Sequence, residues 1–99
     1  MSASTINVAV IGAGSWGTTV AALAAVNTPT VLWARRGDLA QEINDAGVNA
    51  EYLPNFTLPE ALRATDSLAD AVSHADVVVM AVPSHGFRDV AVEAAESIR

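Results

Sequence analysis

Residues 6–27 read INVAVIGAGSWGTTVAALAAVN, which predicts a buried strand, a glycine turn and a helix in succession. Gly12, Gly14 and Gly17 form the pattern G-x-G-x-x-G at the turn. In a dinucleotide site the first glycine allows a sharp turn, the second a close approach of the backbone to a pyrophosphate, and the third close helix–strand packing. The N–H groups and the positive dipole end of the helix then face the anion. An apolar strand precedes the motif and an apolar-periodic helix follows it, which favours a dinucleotide site over a plain strand–helix connection.

Composition excludes several classes of protein. A chain of 99 residues with 52% hydrophobic residues is one globular domain at most. A net charge of −6 argues against a nucleic-acid partner, because that would require a basic face. There is no cysteine and no cluster with metal-ligand spacing, so we expect no disulfide and no metal. The amino terminus lacks a basic segment before its short apolar run, so we expect no membrane span and a cytoplasmic location.

Strand and helix patterns alternate along the whole chain. Strands are predicted at 7–11, 30–34, 62–65 and 76–82, and each is followed by a helix. This alternation predicts an α/β fold, a partial Rossmann-type doubly wound parallel sheet of about four strands in the order 3-2-1-4. Ligands of such sheets lie at the carboxyl ends of the strands, at the switch point between strands 1 and 4. Residues 12–17, 35–36 and 82–84 should therefore surround one crevice.

Local patterns also predict which helical residues are buried and how the helices begin. In the first helix, helical spacing predicts a core-facing stripe of Trp16, Val20, Leu23 and Ala24. Asp38 is the predicted N-cap of the second helix, in a capping box with Gln41, and Gly47 is its predicted end. Ser67 and Asp70 resemble a second capping box. The last helix is predicted from Gly86 or Phe87 onwards, with one apolar face formed by Phe87, Val90, Ala91, Ala94, Ala95 and Ile98.

Strand 4 is predicted to lie at an edge of the sheet. It is apolar and uncharged through residues 77–82, and it carries no lysine or bulge that would block pairing. Soluble domains rarely leave such an edge open. We therefore expect it to pair with further strands of a longer chain or with a second copy, as in a homodimer through this edge.

The arginine pair Arg35-Arg36 occupies the position that distinguishes NAD from NADP. About 20 residues after the first glycine, NAD sites carry an acid that binds the ribose 2′-OH, whereas an arginine suits the 2′-phosphate of NADP. Here no acid occurs before Asp38. Because a guanidinium offers a planar fork to phosphate, we expect NADP to be preferred over NAD. The alternative is that both arginines are solvated surface charges.

Other candidate residues lie around the predicted crevice. Ser15 and Trp16 begin the first helix, where their backbone N–H groups should face the pyrophosphate. Tyr52, in the long loop 48–59, either reaches the adenine side or anchors the loop, and Pro83 follows strand 4 at the crevice. His74 is expected at the surface. His85 is a conceivable acid or base, but the sequence suggests no partner for it.

Taken together, four stretches are similar to the bacterial-type NAD(P)-dependent glycerol-3-phosphate dehydrogenases. They are VIGAGSWGT at 10–18, LWARR at 32–36, NAEYLP at 49–54 and AVPS at 81–84. The resemblance runs from about residue 6 to the end of the chain. It implies a cytoplasmic enzyme of glycerophospholipid synthesis that interconverts dihydroxyacetone phosphate and sn-glycerol 3-phosphate by hydride transfer. It also implies that Ser15, Trp16, Arg35 or Arg36, and Tyr52 contact NAD or NADP.

The chain departs from that family in one respect. Members are much longer, with an all-helical substrate domain, and their catalytic lysines lie beyond the point where this chain stops. All five basic residues here are arginines. We therefore expect residues 1–99 to be an amino-terminal NAD(P)-binding domain that holds no catalytic residue and meets the substrate only together with the missing domain.

Two other functions fit the same residues. The chain could come from another two-domain dehydrogenase that acts on a hydroxyacyl or sugar-acid substrate. It could also be a non-catalytic NAD(P)-binding sensor or assembly module, in which strand 4 pairs with a partner.

Overall fold

Four strands and four helices alternate in the computed structural model, which describes residues 6–97, with the backbone only for Ser84 and His85. In chain order they are β1 (Val8–Ile11), α1 (Ser15–Ala25), β2 (Thr30–Trp33), α2 (Gly37–Ala46), β3 (Arg63–Thr65), α3 (Leu68–Val72), β4 (Val77–Met80) and α4 (Ser84–Ala95). All strand pairs are parallel, and the sheet order is β3-β2-β1-β4. The predicted fold class and strand order are confirmed.

The central strand β1 separates two hydrophobic cores. Side chains of a strand alternate between the faces of its sheet. Val10 packs with α1 and α2 on one face, whereas Ala9 and Ile11 pack with α3 and α4 on the other. All three residues are fully buried, because β2 and β4 also cover both edges of β1. The strand therefore reads as a continuous apolar run, which is typical of a parallel sheet with helices on both faces.

Helix α1 buries a different face from the one predicted. Trp16 and Leu23 are 62% and 69% exposed, and Val20 and Ala24 are only partly buried. The buried residues of α1 are instead small ones, namely Gly17, Thr18, Ala21, Ala22 and Ala25. The prediction was wrong because helical spacing ranks residues by hydrophobicity, whereas α1 lies so close to the sheet that only small side chains fit between them.

The observed ends of α2 and the observed start of α3 agree only in part with the predicted capping residues. Helix α2 begins at Gly37 with Arg36 as N-cap residue, so the predicted Asp38 cap was wrong. Asp38 lies in the first turn instead, where its carboxylate contacts the Arg36 guanidinium. Gly47 ends α2 in the left-handed conformation, at φ 69°, as predicted. Ser67 caps α3 by accepting a hydrogen bond from the Asp70 N–H at 3.2 Å, which confirms that half of the capping box.

Strand β4 lies at an edge of the sheet within the described residues, as predicted. Helix α4 begins at Ser84, two or three residues before the predicted start at Gly86 or Phe87, and it packs beside α3. Of its predicted apolar face, Val90 and Ala94 are buried. Phe87 and Ala95 are exposed and Ala91 is partly buried, so only Val90 and Ala94 of this predicted face join the core among the described residues. Ile98 lies outside the described residues. Among all the described residues, no helix is long and apolar enough to cross a membrane.

Candidate functional site

A cleft of about 760 Å³ opens at the carboxyl ends of β1, β2 and β4. This is the switch point of the sheet, because the chain leaves β1 towards β2 on one side and later crosses from β3 to β4 on the other side of β1. Nine residues singled out from the sequence all line it: Gly12, Gly14, Ser15, Trp16, Gly17, Arg35, Arg36, Tyr52 and Pro83. The volume lies in the range of ordinary small-molecule sites.

The three glycines of the turn have different structural requirements. Gly12 has φ +119°, and a Cβ there would lie 2.6 Å from the Ala81 carbonyl oxygen. A Cβ on Gly17 would lie 1.8 Å from the Gly12 carbonyl oxygen. A Cβ on Gly14, in contrast, would meet no atom within 4 Å. The fold itself therefore requires Gly12 and Gly17, whereas the missing side chain of Gly14 only leaves open space in the cleft.

The same turn presents the amino-terminal end of α1 to the cleft. Gly14 is the N-cap residue, no side chain caps the helix, and no acidic residue lies in its first turn. The first N–H groups of a helix lack intrahelical partners and carry a partial positive charge. Ser15, Trp16 and Gly17 form this first turn and line the cleft. An anion such as a pyrophosphate fits here without displacing a protein carboxylate.

Both tryptophans of the chain line the cleft. Trp16 is exposed, whereas Trp33 is only 7% exposed and its Nε1 donates to the Asp66 carbonyl oxygen at 3.0 Å. The guanidinium carbon of Arg35 lies 5.3 Å from the centre of the Trp33 ring, a cation–π contact. The sequence analysis missed Trp33, although its position directly before Ala34-Arg35-Arg36 was the available signal. The aromatic ring gives Arg35 a defined place beside the cleft.

Arg36 is held by two carboxylates. Its two terminal nitrogens donate to both oxygens of Glu51, at 2.8 and 3.1 Å, and its Nε donates to Asp38 at 3.1 Å. These bonds keep the pKa values of Glu51 and Asp38 below their usual range and raise the pKa of Arg36. No ion pair of Arg35 is found among the described residues. The two neighbouring arginines thus differ: the charge of Arg36 is already compensated, and that of Arg35 is not.

The loop 48–59 is attached to the cleft by Asn49, a fully buried side chain that the sequence analysis did not select. Its Nδ2 donates to the Ala13 carbonyl oxygen at 2.9 Å and to the Thr18 hydroxyl at 2.8 Å. Its Oδ1 accepts from the Tyr52 N–H at 3.3 Å. The only sequence signal was its place in NAEYLP, since a buried asparagine in a loop does not differ in sequence from an exposed one. Asn49 therefore fixes the loop segment that brings Glu51 and Tyr52 to the cleft.

Replacing Asn49 with alanine is expected to lower the free energy of unfolding by about 2–3 kcal/mol, because buried acceptors lose their donor and the loop loses its attachment. Asn27→Ala, at an exposed position, is the matched control and should change stability by less than about 0.5 kcal/mol. Urea denaturation followed by circular dichroism measures both. Equal losses in the two variants would contradict the role of Asn49.

Of the two histidines, His74 does not line the cleft. His74 is exposed, as expected, and the side chain of His85 lies outside the described residues. Within the described part of the chain, no group of three or more histidine, aspartate and glutamate side chains could hold a metal ion.

Comparison with known sequences identifies relatives of the whole chain. A sequence model described as NAD-dependent glycerol-3-phosphate dehydrogenase N-terminus matches residues 7–99. A relative from Sphingopyxis alaskensis, named glycerol-3-phosphate dehydrogenase (NAD(P)+) 2, is 52% identical over 94 residues. These residues are 95% of this chain and 28% of that protein. Another, from Mycobacterium bovis, is 52% identical over 93 residues, or 93% of this chain and 27% of that protein. The chain thus spans less than a third of the length of these relatives.

Solved structures agree with the sequence matches. The glycerol-3-phosphate dehydrogenase of Coxiella burnetii superposes with a TM-score of 0.87 at 34% identity, over 96% of this chain and 30% of that one. The Saccharomyces cerevisiae enzyme gives a TM-score of 0.88 at 27% identity, over 97% and 31% of the two chains. These findings confirm the resemblance inferred from the four sequence stretches. The chain belongs to the family of NAD-dependent glycerol-3-phosphate dehydrogenases, whose amino-terminal part it matches.

Proposed function

We propose that this chain is the cofactor-binding part of an enzyme that interconverts dihydroxyacetone phosphate and sn-glycerol 3-phosphate, and that its cleft binds NADP or NAD. The observation that carries the proposal is Gly14, whose missing Cβ leaves open space at the uncapped start of α1. The relatives that support it are named as NAD(P)+-dependent glycerol-3-phosphate dehydrogenases. We propose further that this enzyme acts in glycerophospholipid synthesis and is located in the cytoplasm.

The lining residues fit a dinucleotide in a simple arrangement. The N–H groups at Ser15 and Trp16 would hold the pyrophosphate, because they begin α1 beside Gly14. Arg35 and Arg36 would meet the adenosine ribose and its 2′-phosphate, and Tyr52 the adenine side. Pro83 lines the cleft where α4 follows β4. The bound nicotinamide supplies or accepts the hydride, and these residues bind and orient it.

We assign no catalytic residue to this chain. It contains no lysine, and the family resemblance places the catalytic lysines outside residues 1–99. The chain's own contribution is therefore affinity, orientation and the choice between the two cofactors. Glycerol 3-phosphate and dihydroxyacetone phosphate would bind only with a substrate domain in place.

Tryptophan fluorescence tests dinucleotide binding directly, because both tryptophans line the cleft. Titration with NADPH or NADH should quench the emission in a saturable way, with energy transfer to the dihydronicotinamide. Free nicotinamide, which lacks the pyrophosphate, should have no saturable effect at the same concentrations. The proposal fails if the folded chain binds neither dinucleotide.

Removing both guanidinium groups is expected to shift the cofactor preference from NADPH towards NADH. Arg35→Ala combined with Arg36→Asp should move the ratio of NADPH to NADH affinity towards NADH by about tenfold or more, because charge-assisted hydrogen bonds to the 2′-phosphate are lost. Dissociation constants for both dinucleotides, measured by fluorescence titration, give the ratio. An unchanged ratio would mean that neither arginine meets the 2′-phosphate.

The free edge of β4 supports a second, structural part of the proposal. Val77 on this strand is 46% exposed, and the edge is uncharged. We propose that it pairs with a second copy of the chain to form a homodimer. Analytical ultracentrifugation with and without NADPH tests this. A monomer under both conditions would instead assign the edge to further strands of a longer enzyme and would count against a stand-alone sensor module.

A further inference from the structure

We infer that Glu51 determines how strongly the cleft prefers NADPH over NADH, by holding the Arg36 guanidinium away from a 2′-phosphate. This inference rests on the proposed dinucleotide site. It concerns a residue outside the arginine pair, and it makes the preference a competition between one carboxylate and one phosphate for the same donors.

The geometry of the pair supports this competition. Glu51 uses both carboxylate oxygens on the two terminal nitrogens of Arg36. A phosphate would use the same fork, because two parallel N–H donors match two oxygens of either anion. Asp38 contacts Arg36 mainly from the Nε side. A 2′-phosphate can therefore meet the fork of Arg36 only by displacing or sharing with Glu51.

Charge acts in the same direction. Arg36, Asp38 and Glu51 together carry one positive and two negative charges, so the cluster repels a phosphate unless Arg35 compensates. The side chains of Arg36 and Glu51 are 48% and 47% exposed, so water and salt weaken the interaction without abolishing it. A neutral 2′-OH needs no such displacement. Glu51 should thus weaken NADPH binding and leave NADH binding nearly unaffected.

Glu51 is also held in position, which a freely rotating surface side chain would not be. The adjacent Tyr52 donates its backbone N–H to the buried Asn49. The pKa of the Glu51 carboxyl is lowered mainly by Arg36 and, to a smaller extent, by the neighbouring Tyr52 hydroxyl. Asn49 in turn is bonded to the glycine turn and to α1. The backbone next to Glu51 is therefore held against the glycine turn, and the two bonds to Arg36 orient the carboxylate, as a specificity-determining group requires.

The test is Glu51→Gln, which keeps the shape of the side chain and removes its charge. The affinity for NADPH should rise about threefold to fivefold, and that for NADH should change by less than about twofold. Adenosine 2′,5′-bisphosphate and adenosine 5′-monophosphate, which differ only in the 2′-phosphate, should show the same split. Glu60→Gln is the matched control: it changes the net charge equally at an exposed position outside the cleft.

A double-mutant cycle separates this role from a general effect of charge or loop structure. In an Arg36→Met background, Glu51→Gln should change the NADPH to NADH ratio much less than it does with Arg36 present, because only the direct repulsion between Glu51 and the phosphate remains. The inference is overturned if Glu60→Gln raises the ratio as much as Glu51→Gln does, if the ratio stays unchanged in Glu51→Gln, or if the effect is equally large without Arg36. Failure of the proposed function is a distinct result, since the unmodified chain would then bind neither dinucleotide.

Discussion

Gly17→Ala is expected to lower the free energy of unfolding by about 4 kcal/mol or more, which is most of the stability of a domain of this size. The added Cβ would lie 1.8 Å from the Gly12 carbonyl oxygen and 3.1 Å from the Cβ of Ala81. The first of these is a backbone atom in the turn that joins β1 to α1, so no side-chain rotation relieves the clash. Helix α1 would have to move away from the sheet and open the core on that face.

The matched control is the same substitution at Gly86. A Cβ there would meet only the Val82 side chain, at 3.6 Å, which is ordinary van der Waals contact. Because Gly86 lies within α4, alanine should leave stability unchanged or raise it by up to about 1 kcal/mol. Urea denaturation followed by circular dichroism compares the two variants. Similar stabilities would show that α1 does not depend on the close approach at Gly17.

Gly14→Val is expected to weaken binding of NADPH and NADH by at least about a hundredfold while leaving the fold largely intact. The valine side chain would occupy the open space beside the first turn of α1 and block hydrogen bonds to a pyrophosphate, each charge-assisted and strong. The backbone of Gly14, at φ −73°, is accessible to any residue, so no strain accompanies the change. Function and stability should therefore separate at this position.

Two measurements on the same sample test that separation. Fluorescence titration gives the dinucleotide affinity, and the urea midpoint gives the stability. Thr19→Val, on the exposed side of α1 and outside the cleft, is the control and should retain both. If Gly14→Val binds NADPH as the unmodified chain does, the pyrophosphate does not lie against Gly14. If it unfolds, the glycine serves the fold instead.

The glycine turn is a part of the fold that the sequence motif predicted correctly. The spacing of Gly12, Gly14 and Gly17 predicted the turn. The alternation of strands and helices predicted the sheet order and the residues around the cleft, because parallel connections follow general rules. The Ser67 cap and the Gly47 helix end were predicted, like the turn, from local patterns. Each of these three features depends on residues within a few positions of one another.

The errors in the predicted core face of α1 and in the predicted cap of α2 have different physical causes. Trp16 and Leu23 were predicted to be buried, but their exposure follows from the closeness of α1 to the sheet, which hydrophobic spacing does not encode. Asp38 was predicted as a cap, but its carboxylate contacts Arg36. The first pattern was outweighed by tertiary packing, and the second by a competing contact with a residue two positions away.

The amino-acid sequence alone was sufficient to predict the parallel sheet, its switch point and the glycine turn that forms one wall of the cleft. Only the folded chain decides how the other wall is charged. Glu51 lies 15 positions from Arg36, and Asn49 lies 36 positions from Ala13. Contacts over such separations are selected by packing of the loop against the sheet, and no periodicity or motif spacing records which donor meets which acceptor.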